Sequence, residues 1–358
     1  MRRAALLAFF LSPSLSLTWL GASDVHFGHD VVDTRDNTTT TALALNEAAV
    51  AEMNAAPGNA SWPAALGGGI VGEPAGLIIT GDLVDNGYTE SYEWRNFTHV
   101  YGLDGTDGLS RFPTYEGRGN HDGGNSSDVE PHFVASMIVA RNQLRAGSAA
   151  FNITAVSTAS GLHYAWRWDA SPTCRVHFFM LNEYAGHLCD GCAPVNCFYG
   201  PPCYTGWTWP EDSLGFLEEA LPRVVGASGE PVFMMQHYCF DGYSNAWYSA
   251  AQRAELFATL SRYNAAGVLC GHTHAASIYA WDGNSTLPFN TPGAIDVFNI
   301  PSTQKEDAAG GPAPPEYMLF ELVADAAGGG ATLRVGQRVA GAWGDVVATK
   351  RVRCNAAN

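Results

Sequence analysis

Five short segments of this 358-residue sequence carry side chains suited to holding a metal ion. They are Asp24-Val25-His26, Gly81-Asp82-Leu83-Val84-Asp85, Gly119-Asn120-His121-Asp122, the single His237, and Gly271-His272-Thr273-His274. Five of the eleven histidines fall in them. Carboxylate, imidazole and amide oxygen are all represented, and thiolate is not. That donor set suits borderline cations such as Zn, Mn or Fe better than Ca or Mg. Each segment alone has a plainer explanation. Asp-x-His and Gly-Asp-x-x-Asp are common turn sequences. A histidine just after a strand is commonly a hydrogen-bonded core residue. The ordered conjunction of all five is what points to a metal centre.

Every segment follows an apolar run. "LTWLGAS" precedes Asp24, "GLIIT" precedes Gly81, "RFPTYE" precedes the Asn120 segment, "PVFMMQ" precedes His237 and "GVLC" precedes Gly271. Runs rich in β-branched and aromatic residues predict buried strands. Loops at the C-terminal ends of α/β strands share one crevice, where ligands bind. Along an extended segment, residues i and i+2 face the same way. Asp24 with His26, and His272 with His274, are therefore expected to enter that crevice together. Helices are expected over Ala42 to Met53, Glu90 to Tyr101, Val129 to Arg145, Asp212 or Ser213 through Leu221, and Trp247 to Tyr263. "GLHYAWRWD" and "RVHFFMLNEY" alternate as paired strands, and strand patterns dominate after about Asp296. This order predicts an α/β chain of two sheets with outer helices.

The set "DVH", "GDLVD", "GNHD", "QHYCFD" and "GHTH" resembles the calcineurin-like metallophosphoesterase superfamily, from about Leu17 to the terminal strands. The resemblance implies a four-layer α/β/β/α sandwich of two mixed sheets with outer helices, and a dinuclear metal centre. Carried over residue by residue, one cation would be held by Asp24, His26, Asp82 and His274. The second would be held by Asp82, Asn120, His237 and His272, with Asp82 bridging. A shared carboxylate sets two cations about 3.5–4 Å apart. The reaction implied is in-line attack on phosphorus by a metal-bridging hydroxide. His121 would protonate the departing oxygen and Asp122 would orient His121. Asp85 would support the site or merely form a turn. Arg118 and His29, beside the motifs, are expected to be solvent-facing loop residues. Purple acid phosphatases place a tyrosine ligand where Asp85 stands and lack the histidine of Asp-x-His. The chain is therefore more similar to the branch that includes acid sphingomyelinase-like enzymes and cyclic-nucleotide phosphodiesterases.

Composition bounds the rest. A hydrophobic content of 46% with 15% charged residues excludes a disordered chain. A net charge of -16 argues against a nucleic-acid duplex as partner, because polyanions would be repelled except at a local cationic site. Residues 1–16 have the pattern of a secretory signal: Arg2 and Arg3, an apolar run from Ala4 to Leu11, Pro13, then small residues to Ser16. A buried first strand is the alternative. The apolar run is too short for a stable membrane span. Sequons at Asn37, Asn59, Asn96, Asn125, Asn152 and Asn284, and eight cysteines, agree with a secreted or lumenal location. Glycan on Asn125 would hang near the mouth of the crevice.

Residues 17–358 are expected to form one domain, with a Cys-rich insertion at about 186–209. There Cys189, Cys192, Cys197 and Cys203 suit disulfides in an exported chain, although their spacing also suits zinc. Cys239 and Cys270 are expected as buried thiols or as a pair. Tyr199, Tyr204, Trp207, Trp209, Tyr238, Tyr243 and Trp247 would pack the stapled loop or line a substrate pocket. The expected activity is hydrolysis of a small-molecule or lipid phosphoester, diester ahead of monoester. The competing class is an exported metal-binding interaction protein without turnover.

Overall fold

A computed structural model describes residues 16–86, 91–123, 133–181, 183–187, 211–246, 249–326 and 328–355. Residues 1–15 of the expected signal segment, the Asn125 sequon, and nearly all of the 186–209 insertion lie outside the described residues, with Cys189, Cys192, Cys197, Cys203, Tyr199, Tyr204, Trp207, Trp209 and Trp247; Ser16, the last residue of that segment, is the first of a strand. In chain order the strands are β1 (Ser16–Ala22), β2 (Val31–Val32), β3 (Thr39–Thr40), β4 (Pro74–Ile79), β5 (Thr114–Glu116), β6 (Ile153–Val156), β7 (Tyr164–Ser171), β8 (Cys174–Met180), β9 (Val232–Met235), β10 (Ala265–Cys270), β11 (Ser277–Trp281), β12 (Thr286–Leu287), β13 (Ile295–Asn299), β14 (Glu316–Ala324), β15 (Gly330–Val339) and β16 (Ala342–Arg353). The helices are α1 (Ala42–Ala55), α2 (Ser91–Tyr101), α3 (Phe133–Ala146), α4 (Ser213–Val224) and α5 (Ala250–Leu260).

The strands build two large mixed sheets. One has the order β16-β15-β14-β1-β4-β5, the other β12-β11-β13-β10-β9-β8-β7-β6. The first is parallel on one side, through β1-β4-β5, and antiparallel on the other, through β16-β15-β14-β1; the second is parallel at the centre, through β8-β9-β10-β13, and antiparallel at both flanks. Parallel strands are buried on both faces, and β1 shows why. Its side chains alternate. Leu17 and Trp19 enter the core between the sheets, whereas Leu20 and Ala22 enter the core under α1, α2 and α3. A third core lies between the second sheet and α4 and α5. Three cores separate four layers, α/β/β/α.

The inter-sheet core is dominated by aromatic rings. Trp19 stacks on Phe320 at 5.1 Å and meets Phe178 edge-on at 5.5 Å, and Phe178 stacks on Phe233. Helix starts have local causes. Thr41 caps α1 by accepting from Ala44 N, and Ser249 with Gln252 forms a capping box on α5. That box starts α5 at Ala250, later than the expected Trp247. Helix α3 begins at Phe133, where a helix from Val129 was expected; residues 129–132 are outside the described set. Asp212 stands at the α4 N-cap in a left-handed conformation without a capping bond. Arg141 Nε bonds Glu116 Oε1 at 2.7 Å and Arg145 bonds the other oxygen, which anchors α3 to the end of β5. Glu116 opens the segment that leads to Asn120.

Among the described residues two disulfides form, Cys174–Cys354 and Cys239–Cys270. The second resolves the alternatives for Cys239 and Cys270 in favour of a pair. Among the described residues, no helix is long and apolar enough to cross a membrane.

Candidate metal centre

The C-terminal ends of β1, β4, β5, β9 and β10 converge, and hydrogen bonds lock their loops in register. Asp24 N donates to Gly81 O and His26 N to Asp82 O, both at 3.0 Å. Gly271 N donates to His237 O at 2.8 Å. Side chains tie the loops further: His121 N donates to Asp82 Oδ1 at 2.8 Å and His272 N to Asp24 Oδ2 at 2.9 Å, the latter across the two sheets. The motif glycines set these approaches. A Cβ on Gly119 would run into Asp82, and one on Gly271 into Ser23 and Asp24.

The backbone differs from the extended segments expected. Asp24, His26, Asp82, His272 and His274 all have positive φ, between 38° and 70°. Asp24/His26 and His272/His274 do enter one site together, but through paired left-handed residues. Such conformations cost a non-glycine residue of order 1–2 kcal/mol each. Five of the seven expected metal ligands carry that strain.

The donor atoms gather around Asp82. Its Oδ2 lies 3.2 Å from His237 Nε2 and 3.6 Å from His26 Nε2. On one side, Asp24, His26 and His274 bring a ligand atom each into one small group; on the other, Asp82, His237 and His272 do the same. Asn120 Oδ1 is 3.1 Å from His237 Nε2 and joins the second group. The residues fit a pair of cations. Asp24 Oδ1 is buried and receives no well-aligned hydrogen bond, yet it faces His274 Nε2 at 3.3 Å and His26 and His237 Nε2 at 3.9 Å. His26 and His274 point Nε2 atoms at each other across 3.2 Å. Buried carboxylates facing converging imidazole nitrogens are a cation-ready arrangement.

Electrostatics agree. Burial would raise Asp82 and Asp24, but histidines outweigh it and hold both carboxyls below the usual range: His237 and His121 at Asp82, His274 and His237 at Asp24. Burial would lower His237, but Asp82 and Asp24 push it up to about 9. His272 falls to about 3, through burial and then the charge of His237.

The carboxylate against His121 is Asp85. His121 Nδ1 is 3.0 Å from the Asp85 carbonyl and 3.5 Å from Asp85 Oδ1, and Asp85 Oδ1 is also 3.5 Å from His26 Nδ1. Asp122, given that place by the sequence, instead accepts from Gly119 N, Leu83 N and Val84 N at 2.8–3.1 Å. It braces the loop that carries Asp82. Burial would lower His121, but Asp82 and Asp85 push it up to about 10. His29 is half exposed, as expected, 3.7 Å from Asp85.

Arg118 corrects the expectation of a solvent-facing residue. It is buried, 3.4 Å from both Glu183 Oε1 and Glu211 Oε1. Glu183 O in turn accepts from His237 N at 3.0 Å. Sequence reading also passed over Asn46. From α1 it donates to Val25 O at 2.8 Å, between two expected ligands, and accepts from Tyr101 and Thr303 hydroxyls at 2.7 Å. Its signal was present: one polar residue among Ala42, Leu45, Ala49, Val50 and Met53 on the buried face of α1.

Fold and donor set together define a metal-dependent phosphoesterase architecture. The calcineurin-like phosphoesterase profile matches residues 20–276, most of the chain, and the chain belongs to that family. None of the curated proteins matches it. Among solved structures, GAP50, described as the anchor in the inner membrane complex of Plasmodium, aligns with TM-score 0.54 and 10% identity over 95% of this chain and 89% of that one. A Vps29 single mutant from Entamoeba histolytica aligns with TM-score 0.31 and 10% identity over 95% of this chain and 100% of that one. The GAP50 likeness is one of fold.

Proposed function

We propose that this chain is a secreted or lumenal phosphoesterase with a dinuclear metal centre, hydrolysing a small-molecule or lipid phosphoester, diesters ahead of monoesters. The observation that carries the reading is Asp82 Oδ2, which sits between His26 and His237 with a separate donor group on each side. Asp24, His26, Asp82 and His274 would hold one cation. Asp82, Asn120, His237 and His272 would hold the other. The donor set favours Zn, Mn or Fe. Two such ions would supply Lewis-acid charge and lower the pKa of a bound water.

The chain's own residues do the rest. Asp85 holds His121 through Nδ1. His121, paired with Asp85, would donate a proton to the departing oxygen. Asp122 keeps the Asp82 and Asn120 loops in register. The disulfides Cys174–Cys354 and Cys239–Cys270 support an oxidising compartment, with residues 1–16 as its export signal and 17–358 as the mature domain. Diester preference rests on the branch resemblance: Asp85 in place of a tyrosine ligand, and the retained His26.

The test is hydrolysis of bis-p-nitrophenyl phosphate and p-nitrophenyl phosphate by the purified chain with Mn, Zn, Fe or Co. Metal-dependent turnover, faster on the diester, is expected. Silence with all four metals would sink the enzyme reading and leave a metal-binding protein without turnover. Turnover confined to the monoester would reverse the substrate ranking.

A further inference from the structure

We infer that the Cys239–Cys270 disulfide is a positioning clasp for one half of the metal centre, the half built from His237 and His272. The inference rests on the ligand reading above. Cys239 follows His237 by two residues and Cys270 precedes His272 by two. The bond therefore joins the two loops that carry these ligands, and both sulfurs are fully buried. The paired register of β9 and β10 ends at Met235 and Leu269. Beyond it, Gln236 N to Leu269 O at 3.1 Å and Gly271 N to His237 O at 2.8 Å extend the ladder, and the disulfide closes it covalently.

The clasp reaches His272 by a second route. Tyr238, next to Cys239, meets the His272 ring edge-on at 4.4 Å, and Tyr243 stacks on it at 5.1 Å. Asp241 fixes the turn between them by accepting from Tyr243 N and Ser244 N at 2.9 Å. Phe240 is pinned against Trp281 with ring centroids 3.7 Å apart. His272 is thus held through its own backbone by Cys270 and through its ring by the Cys239 loop. It needs that restraint, because its φ is 70° and an unrestrained loop would relax to a common conformation. The other half shares only the Cys270 loop, through His274; the loop of its His26 carries no disulfide among the described residues, and the two rings meet at 3.2 Å without a covalent link between their loops.

The other disulfide among the described residues is an internal control. Cys174–Cys354 joins the start of β8 to the residue after β16, away from every expected ligand. Full-length protein, Cys239→Ala/Cys270→Ala and Cys174→Ala/Cys354→Ala would be titrated with Mn²⁺ by calorimetry. Wild type is expected to bind two ions. The Cys239/Cys270 variant should keep one affinity and weaken the other by about 10-fold or more, the usual size for loss of ligand support. The Cys174/Cys354 variant should keep both affinities and lose only thermal stability. Two unchanged affinities in a folded Cys239/Cys270 variant would overturn the inference, as would equal weakening of both. A wild type that binds no Mn²⁺ would instead overturn the ligand reading.

Linkage gives a version without variants. If clasp and second ion are coupled, each stabilises the other. Saturating Mn²⁺ should shift the dithiol–disulfide equilibrium of Cys239–Cys270 towards the disulfide in a dithiothreitol redox buffer, read by alkylation and mass spectrometry. Cys174–Cys354 should be unaffected. An unchanged equilibrium for Cys239–Cys270 would count against the clasp.

Discussion

The same strands build two very different regions. In their bodies, Trp19, Ile78, Phe233 and Leu269 of β1, β4, β9 and β10 pack in one apolar core that is complete without any ligand. A few residues further on, the same strands deliver Asp24, His26, Asp82 and His237, all buried, and the half-buried His272, largely in left-handed backbone. The core region favours folding. The strand-end region carries backbone strain, which its histidine–carboxylate pairs offset in part. The contrast teaches that the core supplies the stability that lets the site remain strained.

Breaking one region should leave the other readable. Asp82→Ala removes the shared ligand, and diester hydrolysis should fall by about a thousandfold or more, at least the loss seen when one preorganised charge-stabilising group is deleted. The circular dichroism of the native fold should persist. An equal rate for wild type and variant would refute the site. Trp19→Ala should cost about 3–5 kcal/mol in denaturant unfolding. Well below its lowered melting temperature it should still take up two Mn²⁺ ions. Loss of metal from a folded Trp19→Ala protein would erase the distinction between the regions.

Two buried histidines sharpen it further. His237 is pushed up to about 9 because Asp82 and Asp24 outweigh burial, whereas burial takes His163 down to about 4, against the Glu211 carbonyl. For His163 the folded state prefers the neutral ring, so stability falls as pH drops from about 6.5 towards about 4 and then levels off. Between pH 7 and 4.5 this contributes roughly 2–3 kcal/mol. His163→Phe should lose that share of the pH dependence in urea unfolding; an unchanged difference between the two pH values would contradict it. His237 runs the other way: without cations, its contribution is present below pH 6.5 and is lost as pH rises through about 9. Protons therefore compete with metal there, and Mn²⁺ affinity should rise with pH. The smallest effect expected is for Asn46→Ala. It withdraws support from Val25, and should weaken one Mn²⁺ by about 10-fold while sparing the other.

Much of this was legible because the site is written as strand followed by polar motif. β1, β4, β5, β9 and β10 announce themselves as apolar runs, and each glycine-flanked segment marks a loop. Two things were not legible. Local pattern gives an extended Asp24-Val25-His26, since nothing in it signals that non-glycine residues adopt positive φ; hydrogen bonds to Gly81 O and Asp82 O, far along the chain, impose it. Arg118, between glycines, has the look of a surface residue, and only the fold brings Glu183 and Glu211 to it. The exchange between Asp85 and Asp122 has the same origin. Asp122 neighbours His121 in sequence and Asp85 meets it in space, and the loop path turns Asp85 to its ring.

The central claim is that Asp82 bridges two cations. Anomalous scattering from crystals grown with Mn²⁺ tests it directly. The account predicts two peaks about 3.5–4 Å apart on either side of Asp82 Oδ2, one among Asp24, His26 and His274 and one among Asn120, His237 and His272. A single peak, or none, in a Mn²⁺-saturated crystal would contradict it.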